Sequence, residues 1–241
     1  MIYSRRGLHG QLTEQLGRRI VSGEVDEGAI LDVTAIESEF GVSRTVVRET
    51  FRALATKGLL DARPRVGTFV LPRGRWNLLD SDVMRWRADL ELSPRLHVEL
   101  DQLRHLIEPW AAREAALNHD HADLGLMRKH IEEMRKARDD GSLRGESVLE
   151  AHIDADVAFH ASILAATGNE LARSLVVVLD PLLRSRDALI PEGAQNENFL
   201  ELHVAVVEAI ESRDPDRAER AVLELLDEAA ADLSSLRGGH G

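Results

Sequence analysis

Apolar side chains recur three and four positions apart through most of the chain, and that spacing predicts helices nearly everywhere. Leu12, Leu16 and Ile20 line one face of a first helix, which Gly23 stops. "DVTAIESEF" reads as a short second helix, with Thr34 as its cap, Glu37 closing a capping box and Gly41 ending it. Ser43 then caps a third helix in which Val47, Phe51 and Leu54 share one stripe. Alternation replaces this period at one place only. Leu59 to Ala62 and Thr68 to Leu71 read as two short strands, joined by a turn from Arg63 to Gly67. Past residue 71 the helical period returns. One helix starts at Asp80 or Ser81, and a longer one opens at Ser93-Pro94 with Leu96, Leu100, Leu103 and Ile107 inward. Further helices are expected over about 121–138, 147–166, 169–190, 196–212 and 215–236.

Helix, tight glycine turn, helix and hairpin make a winged helix-turn-helix pattern. At about 100° per residue, Thr45, Arg48 and Arg52 fall opposite the Val47/Phe51/Leu54 stripe, with Arg44 at the N-terminal edge. The stripe seats the helix, and the arginines are left to meet something anionic. Arginines near the start of a second helix are placed to reach phosphates and guanine edges in a major groove. A solvated basic face is the alternative, but the coincidence of cap, stripe, turn and wing favours DNA. The candidate DNA-binding residues are Ser43, Arg44, Thr45, Arg48, Arg52, Arg63, Arg65 and Gly67. Arg44, Thr45 and Arg48 are the expected base-edge readers, Arg52 a phosphate contact, and Arg65 with Gly67 the minor-groove element.

Charge sharpens this division. The net charge of −12 is unevenly spread. Residues 1–75 hold 12 basic and 9 acidic side chains, whereas the rest holds 18 basic and 33 acidic. That asymmetry suits a nucleic-acid-binding segment joined to something else. There is no cysteine, which excludes disulfides and thiolate metal sites. No apolar run approaches the roughly 18–20 residues that span a bilayer, and "MIYSRRGLHGQL" lacks the apolar block of a signal peptide. A cytoplasmic protein with no membrane partner is expected.

The winged-helix portion resembles the GntR family of bacterial transcription regulators through "GVSRTVVRETFRALATKGLL" and "RPRVGTFV". The helical remainder is similar to the FCD effector domain of the FadR-type subfamily in "LRHLIE", "DVAFHASILAATGN" and "LHVAVVEAIESRD". The stretch "RWNLLDSDVMRW" further resembles the branch that answers to sugar acids such as galactonate. The resemblance covers about residues 8–232. It departs from the family at "ILDVTAIE", where a "LPSE"-like stretch is usual, and at Leu202, where Glu often precedes His203.

The resemblance implies a mainly α protein: an N-terminal winged helix-turn-helix with a small β-hairpin, then an all-α helical-bundle effector domain. Residues 1–71 are the expected DNA-binding domain, 72–80 a linker, 81–236 the ligand-binding and dimerisation domain, and 237–241 a disordered tail. Many relatives bind a divalent metal in this domain through one Asp and three His, and three such ligands would still suit Zn, Ni or Mn. Asp156, His160 and His203 match three of these ligands, while Leu225 stands near the place of the third His. The other reading makes both rings core histidines bonded to Asp156 and backbone. Arg104 and Glu108 are the expected effector-binding pair, with Arg104 clamping a carboxylate; the alternative is an i,i+4 ion pair. Arg184 and Arg186 read as solvated, and Trp76, Trp86 and Trp110 as packing residues. The expected function is ligand-responsive transcription regulation, most simply repression. A homodimer would bind a palindromic double-stranded DNA operator and be released by a small carboxylate such as a sugar acid. Two rivals remain: a metal-dependent enzyme acting on a small carboxylate, and a regulator of the same family answering to another organic or fatty acid.

Overall fold

The computed structural model describes residues 7–90, 94–139, 146–187 and 198–238, and the chain divides into two compact units, Met1–Glu91 and Leu92–Gly241. The mainly α class is as expected, with eleven helices and one small sheet among the described residues.

In the first unit, α1 (Leu8–Val21) buries Leu12, Leu16 and Ile20 against α3 (Arg44–Thr56). The chain then forms β1 (Ile30–Leu31), a strand too short to show in the hydropathy pattern. It pairs antiparallel with β3 (Gly67–Val70), which also pairs with β2 (Leu60–Arg63), giving the order β1-β3-β2. This strand corrects the cap of α2 (Val33–Phe40). Asp32, not Thr34, accepts the Ala35 N–H, at 2.8 Å. Ladder pairing ends at Leu31, so the next residue with a short acceptor side chain takes the cap. Gly41 closes α2 in the left-handed region at φ 63°, the conformation that turns the chain into α3. The core of this unit gathers Ile36, Val47, Phe51, Leu54, Leu60, Val70 and Trp76 around the α1 stripe.

A fourth helix, α4 (Ser81–Leu90), completes the first unit, although the sequence pattern assigns it to the helical domain. The Asp80 carboxylate caps it, accepting the N–H groups of Asp82 and Val83 at 3.0 and 3.2 Å. Trp86 is fully buried over Gly17 of α1, where a Cβ would overlap the indole ring. Glycine at position 17 is therefore a packing requirement. Around this contact, Arg85 grips Glu14 in two parallel bonds of 2.9 and 2.6 Å. Lys57 reaches both Asp80 and Asp82, at 2.9 and 2.8 Å. Burial works against the charged Glu14, but hydrogen bonding, chiefly from Arg85, still draws its carboxyl below the ordinary range.

The second unit is wholly helical among its described residues. Its elements are α5 (Pro94–Asn118), α6 (His121–Asp139), α7 (Glu146–Ala166), α8 (Glu170–Ser174), α9 (Val176–Asp187), α10 (Phe199–Glu211) and α11 (Pro215–Gly238). α7 is central, packing against α5, α6 and α9. It contributes Ile153, Ala155, Val157, Phe159, Ile163 and Leu164 to the core and leaves Asp154 exposed. The single helix expected over 169–190 is broken at Leu175, and Asn169 caps its first piece through Leu171 and Ala172. Arg237 and Gly238, expected in a tail, continue α11; 239–241 lie outside the described residues, as does the expected Ser93 cap. Trp110 is 41% exposed, so it is not the packing residue expected.

Gly17→Ala should cost the first unit about 1–3 kcal/mol by overpacking. Thermal unfolding followed by tryptophan fluorescence would show an earlier transition, and an unmoved transition would contradict the Trp86 contact.

Candidate DNA-contacting face and buried charge cluster

The third helix owes its orientation to two local features. Ser43 accepts the Val46 N–H at 3.4 Å, making Arg44 the first helical residue. Val47, Thr50, Phe51 and Leu54 are buried, which turns Arg44, Thr45, Arg48 and Arg52 to solvent. The hairpin tip stands exposed from Arg63 to Gly67. Arg65 takes φ 65° and Gly67 φ 102°, so two residues of one tight turn lie in the left-handed region. The Arg63 guanidinium stacks over Phe69 at 5.0 Å, which holds it at the hairpin surface. None of Arg44, Arg48, Arg52 and Arg65 forms an ion pair with a described residue. Their positive charge is therefore uncompensated within the described residues of the unit.

The second unit treats its arginines in the opposite way. Arg104 on α5 is 1% exposed, as is Glu108 one turn later. Arg104 Nε donates to Glu108 Oε1 at 2.6 Å, and Nη2 lies 3.4 Å from Oε2. His160 on α7 joins them, with Nδ1 at 2.7 Å from Glu108 Oε2 and Nε2 at 3.0 Å from Arg104 Nη2. With its proton on Nδ1, the ring donates to the carboxylate and accepts from the guanidinium. Burial opposes ionisation of Glu108, yet the Arg104 charge and then His160 hold its carboxyl well below the ordinary range.

Asp156 lies one turn before His160 and faces the same interior. His160 Nε2 is 3.7 Å and His203 Nε2 3.0 Å from Asp156 Oδ1. Although burial raises it, the Asp156 carboxyl is driven well below its usual value by His160, His203 and Arg186. Arg186 is a correction to the sequence reading. It is 4% exposed and places Nη2 3.7 Å from Asp156 Oδ2. Its signal was the spacing, because Leu179, Leu182, Leu183 and Arg186 fall on one buried stripe of α9. Arg184 does face outward, paired with Asp154 and Asp180.

Asp156, His160 and His203 bring their donor atoms within 4.8 Å of one another, a buried group able to hold a metal ion. Two observations fit a cation there. Asp156 Oδ2 is buried without a hydrogen-bond partner. His203 Nδ1 donates to the Phe199 carbonyl at 2.7 Å, while its Nε2 faces the Asp156 carboxylate. A ring between two acceptors needs a proton on each nitrogen or a cation beside Nε2. The Phe159 and Phe199 rings, with centroids 4.8 and 4.3 Å from that of His203, fix its orientation. Backbone and carboxylate partners on the far nitrogens are the usual support of metal-binding histidines. Leu225, near the expected place of a third His, is 3% exposed.

A winged helix with an uncompensated arginine face, joined in one chain to a helical domain with a charged interior, defines a class of transcription regulator. Residues 8–70 match the bacterial regulatory proteins of the gntR family, and residues 99–228 match the FCD domain. The chain belongs to the GntR family and carries an FCD domain; it is a regulator and not an enzyme. It is 32% identical to the galactonate operon transcriptional repressor of Escherichia coli K12, over 88% of this chain and 90% of that protein. It is 29% identical to the transcriptional repressor NanR of Citrobacter rodentium, over 97% of this chain and 88% of that one. Among solved structures, Lar of Listeria monocytogenes shares the fold with a TM-score of 0.66 at 16% identity, covering 95% of this chain and 98% of that one. No described helix is long and apolar enough to cross a membrane.

Removing one member of a buried ion pair strands the other. Arg104→Met should therefore destabilise the second unit by about 3–5 kcal/mol. Arg104→Met/Glu108→Met should recover most of that loss. Urea denaturation of both variants checks this, and a single variant as stable as the parent would contradict the pairing.

Proposed function

We propose that this chain is a dimeric repressor that leaves its operator when a small carboxylate, of the sugar-acid class, binds at the buried cluster of the FCD domain. The protein acts in the cytoplasm. The observation that carries this reading is Arg104: a guanidinium buried in a helical interior, with neighbouring hydrogen-bonding groups, suits bidentate capture of a carboxylate. The similarity to a galactonate operon repressor supports the sugar-acid class. On the DNA side, Ser43 positions the helix, Arg44, Thr45 and Arg48 read base edges, and Arg52 and Arg63 take phosphates. Arg65 and Gly67 enter the minor groove. The effector acts only through a difference in its affinity for the DNA-competent and DNA-released states.

Asp156, His160 and His203 would hold a divalent cation, His160 Nε2 then giving up its bond from Arg104 Nη2, and the cation would supply positive charge for binding an anion. Glu108 supports His160 from the other side of the ring, and the Phe199 carbonyl supports His203. Arg186 balances Asp156.

The test uses DNA selected by the full-length protein from a random pool, with D-galactonate as the probe. Arg48→Ala should cost about 1–3 kcal/mol of specific binding and relax one base position. Arg104→Lys keeps the charge but loses the planar fork; it should bind the DNA normally and ignore D-galactonate. Unchanged affinity in the first variant, or a normal response in the second, would refute the corresponding assignment.

Elemental analysis of the purified protein addresses the cation. A divalent metal is expected in the parent and should be lost in His160→Ala. Its absence from both would make the two histidines core residues.

A further inference from the structure

The donors around Arg104 are already taken by Glu108. Two guanidiniums, Arg104 and Arg186, face two carboxylates, Glu108 and Asp156, in a region where all four side chains are at least 96% buried. Those four charges cancel one another, and the cation proposed beside Asp156 would add positive charge to them. Arg104 nevertheless keeps a face open, because its Nη1 makes no hydrogen bond to a described residue. The anion already present uses Nε and Nη2 of the guanidinium and Nδ1 of His160. That is the donor set an external carboxylate would seek.

We infer that the Glu108 side chain is a resident anion: its carboxylate occupies, on the Arg104–His160 pair, the seat that a ligand carboxylate takes when it enters. This rests on the reading of Arg104 as the effector's anchor and adds how the site is kept when empty. Glu108 satisfies the buried guanidinium in the absence of ligand, so the domain folds without effector. It also competes with the effector, so its strength on Arg104 sets the concentration at which the regulator responds. The pair lies one helical turn apart on α5, so Glu108 reaches Arg104 from its own helix.

The seat can be emptied by mutation. Glu108→Ala removes a CH2–COO− group, which is the size of acetate. Sodium acetate should therefore raise the unfolding temperature of full-length Glu108→Ala saturably, by roughly 2–5 °C, where sodium chloride at equal ionic strength does not. The parent, with its seat filled, and Glu108→Ala/Arg104→Met, with the seat destroyed, should not gain. Glu108→Ser provides a second variant, and for any variant that arrives unfolded the refolding yield with and without acetate is the readout. No gain in either single variant, or an equal gain in all proteins, overturns the inference.

A second arm separates a competitor from a merely structural carboxylate. Glu108→Gln keeps the shape without the charge, so half-release of DNA should need about tenfold less D-galactonate. An unchanged or higher requirement overturns the inference. If the parent itself ignores D-galactonate, the effector reading has failed instead, and the acetate result still decides whether the seat exists.

Discussion

The guanidinium of Arg104, closed inside a helical interior against Glu108 and His160, is the constraint on which the chemistry of the second unit depends. An arginine cannot shed its charge, so its surroundings must answer it. Here the answer comes from two helices. Glu108 lies one turn further along α5, and His160 reaches in from α7, the helix packed against α5, α6 and α9. His160 in turn meets Asp156, which meets His203 and Arg186. One buried charge thus organises a chain of six polar side chains through a core built of Leu, Ala and Val.

The two units use the same residue type under opposite conditions. Arg44, Arg48, Arg52 and Arg65 stand in solvent, and no described carboxylate neutralises them. Holding them there costs little, because water solvates each guanidinium, and leaves their charge available to a polyanion. Arg104 and Arg186 are withdrawn from water and face carboxylates in the interior. Their charge is available only to a ligand that offers something equivalent in exchange. The first arrangement suits broad attraction to duplex DNA. The second suits selection of one small anion over many.

Much of this was legible in the residues themselves, and most of the exceptions share a cause. The Val47/Phe51/Leu54 stripe, the Ser43 cap and the Gly41 turn are local patterns, and they recur in the fold as read. The pairing of Arg104 with Glu108 followed from their i,i+4 spacing, and Asp156, His160 and His203 do come together. What was missed depends on partners distant in sequence. Asp32 displaces Thr34 as cap because β1 pairs with a strand some forty residues later. Trp86 belongs to the first unit because Gly17, far upstream, leaves a place for its ring. Arg186 points inward because Asp156 on another helix receives it. Trp110 follows a proline in an apolar-looking stretch, yet its face of α5 is open to solvent.

The central claim is that Arg104 anchors the effector's carboxylate in place of Glu108. A crystal structure of the full-length protein grown with D-galactonate tests it most directly. The account predicts the ligand's carboxylate within hydrogen-bond distance of the Arg104 guanidinium, with the Glu108 side chain rotated off it. A ligand bound elsewhere, or one bound here with the Arg104–Glu108 pair intact, would contradict it.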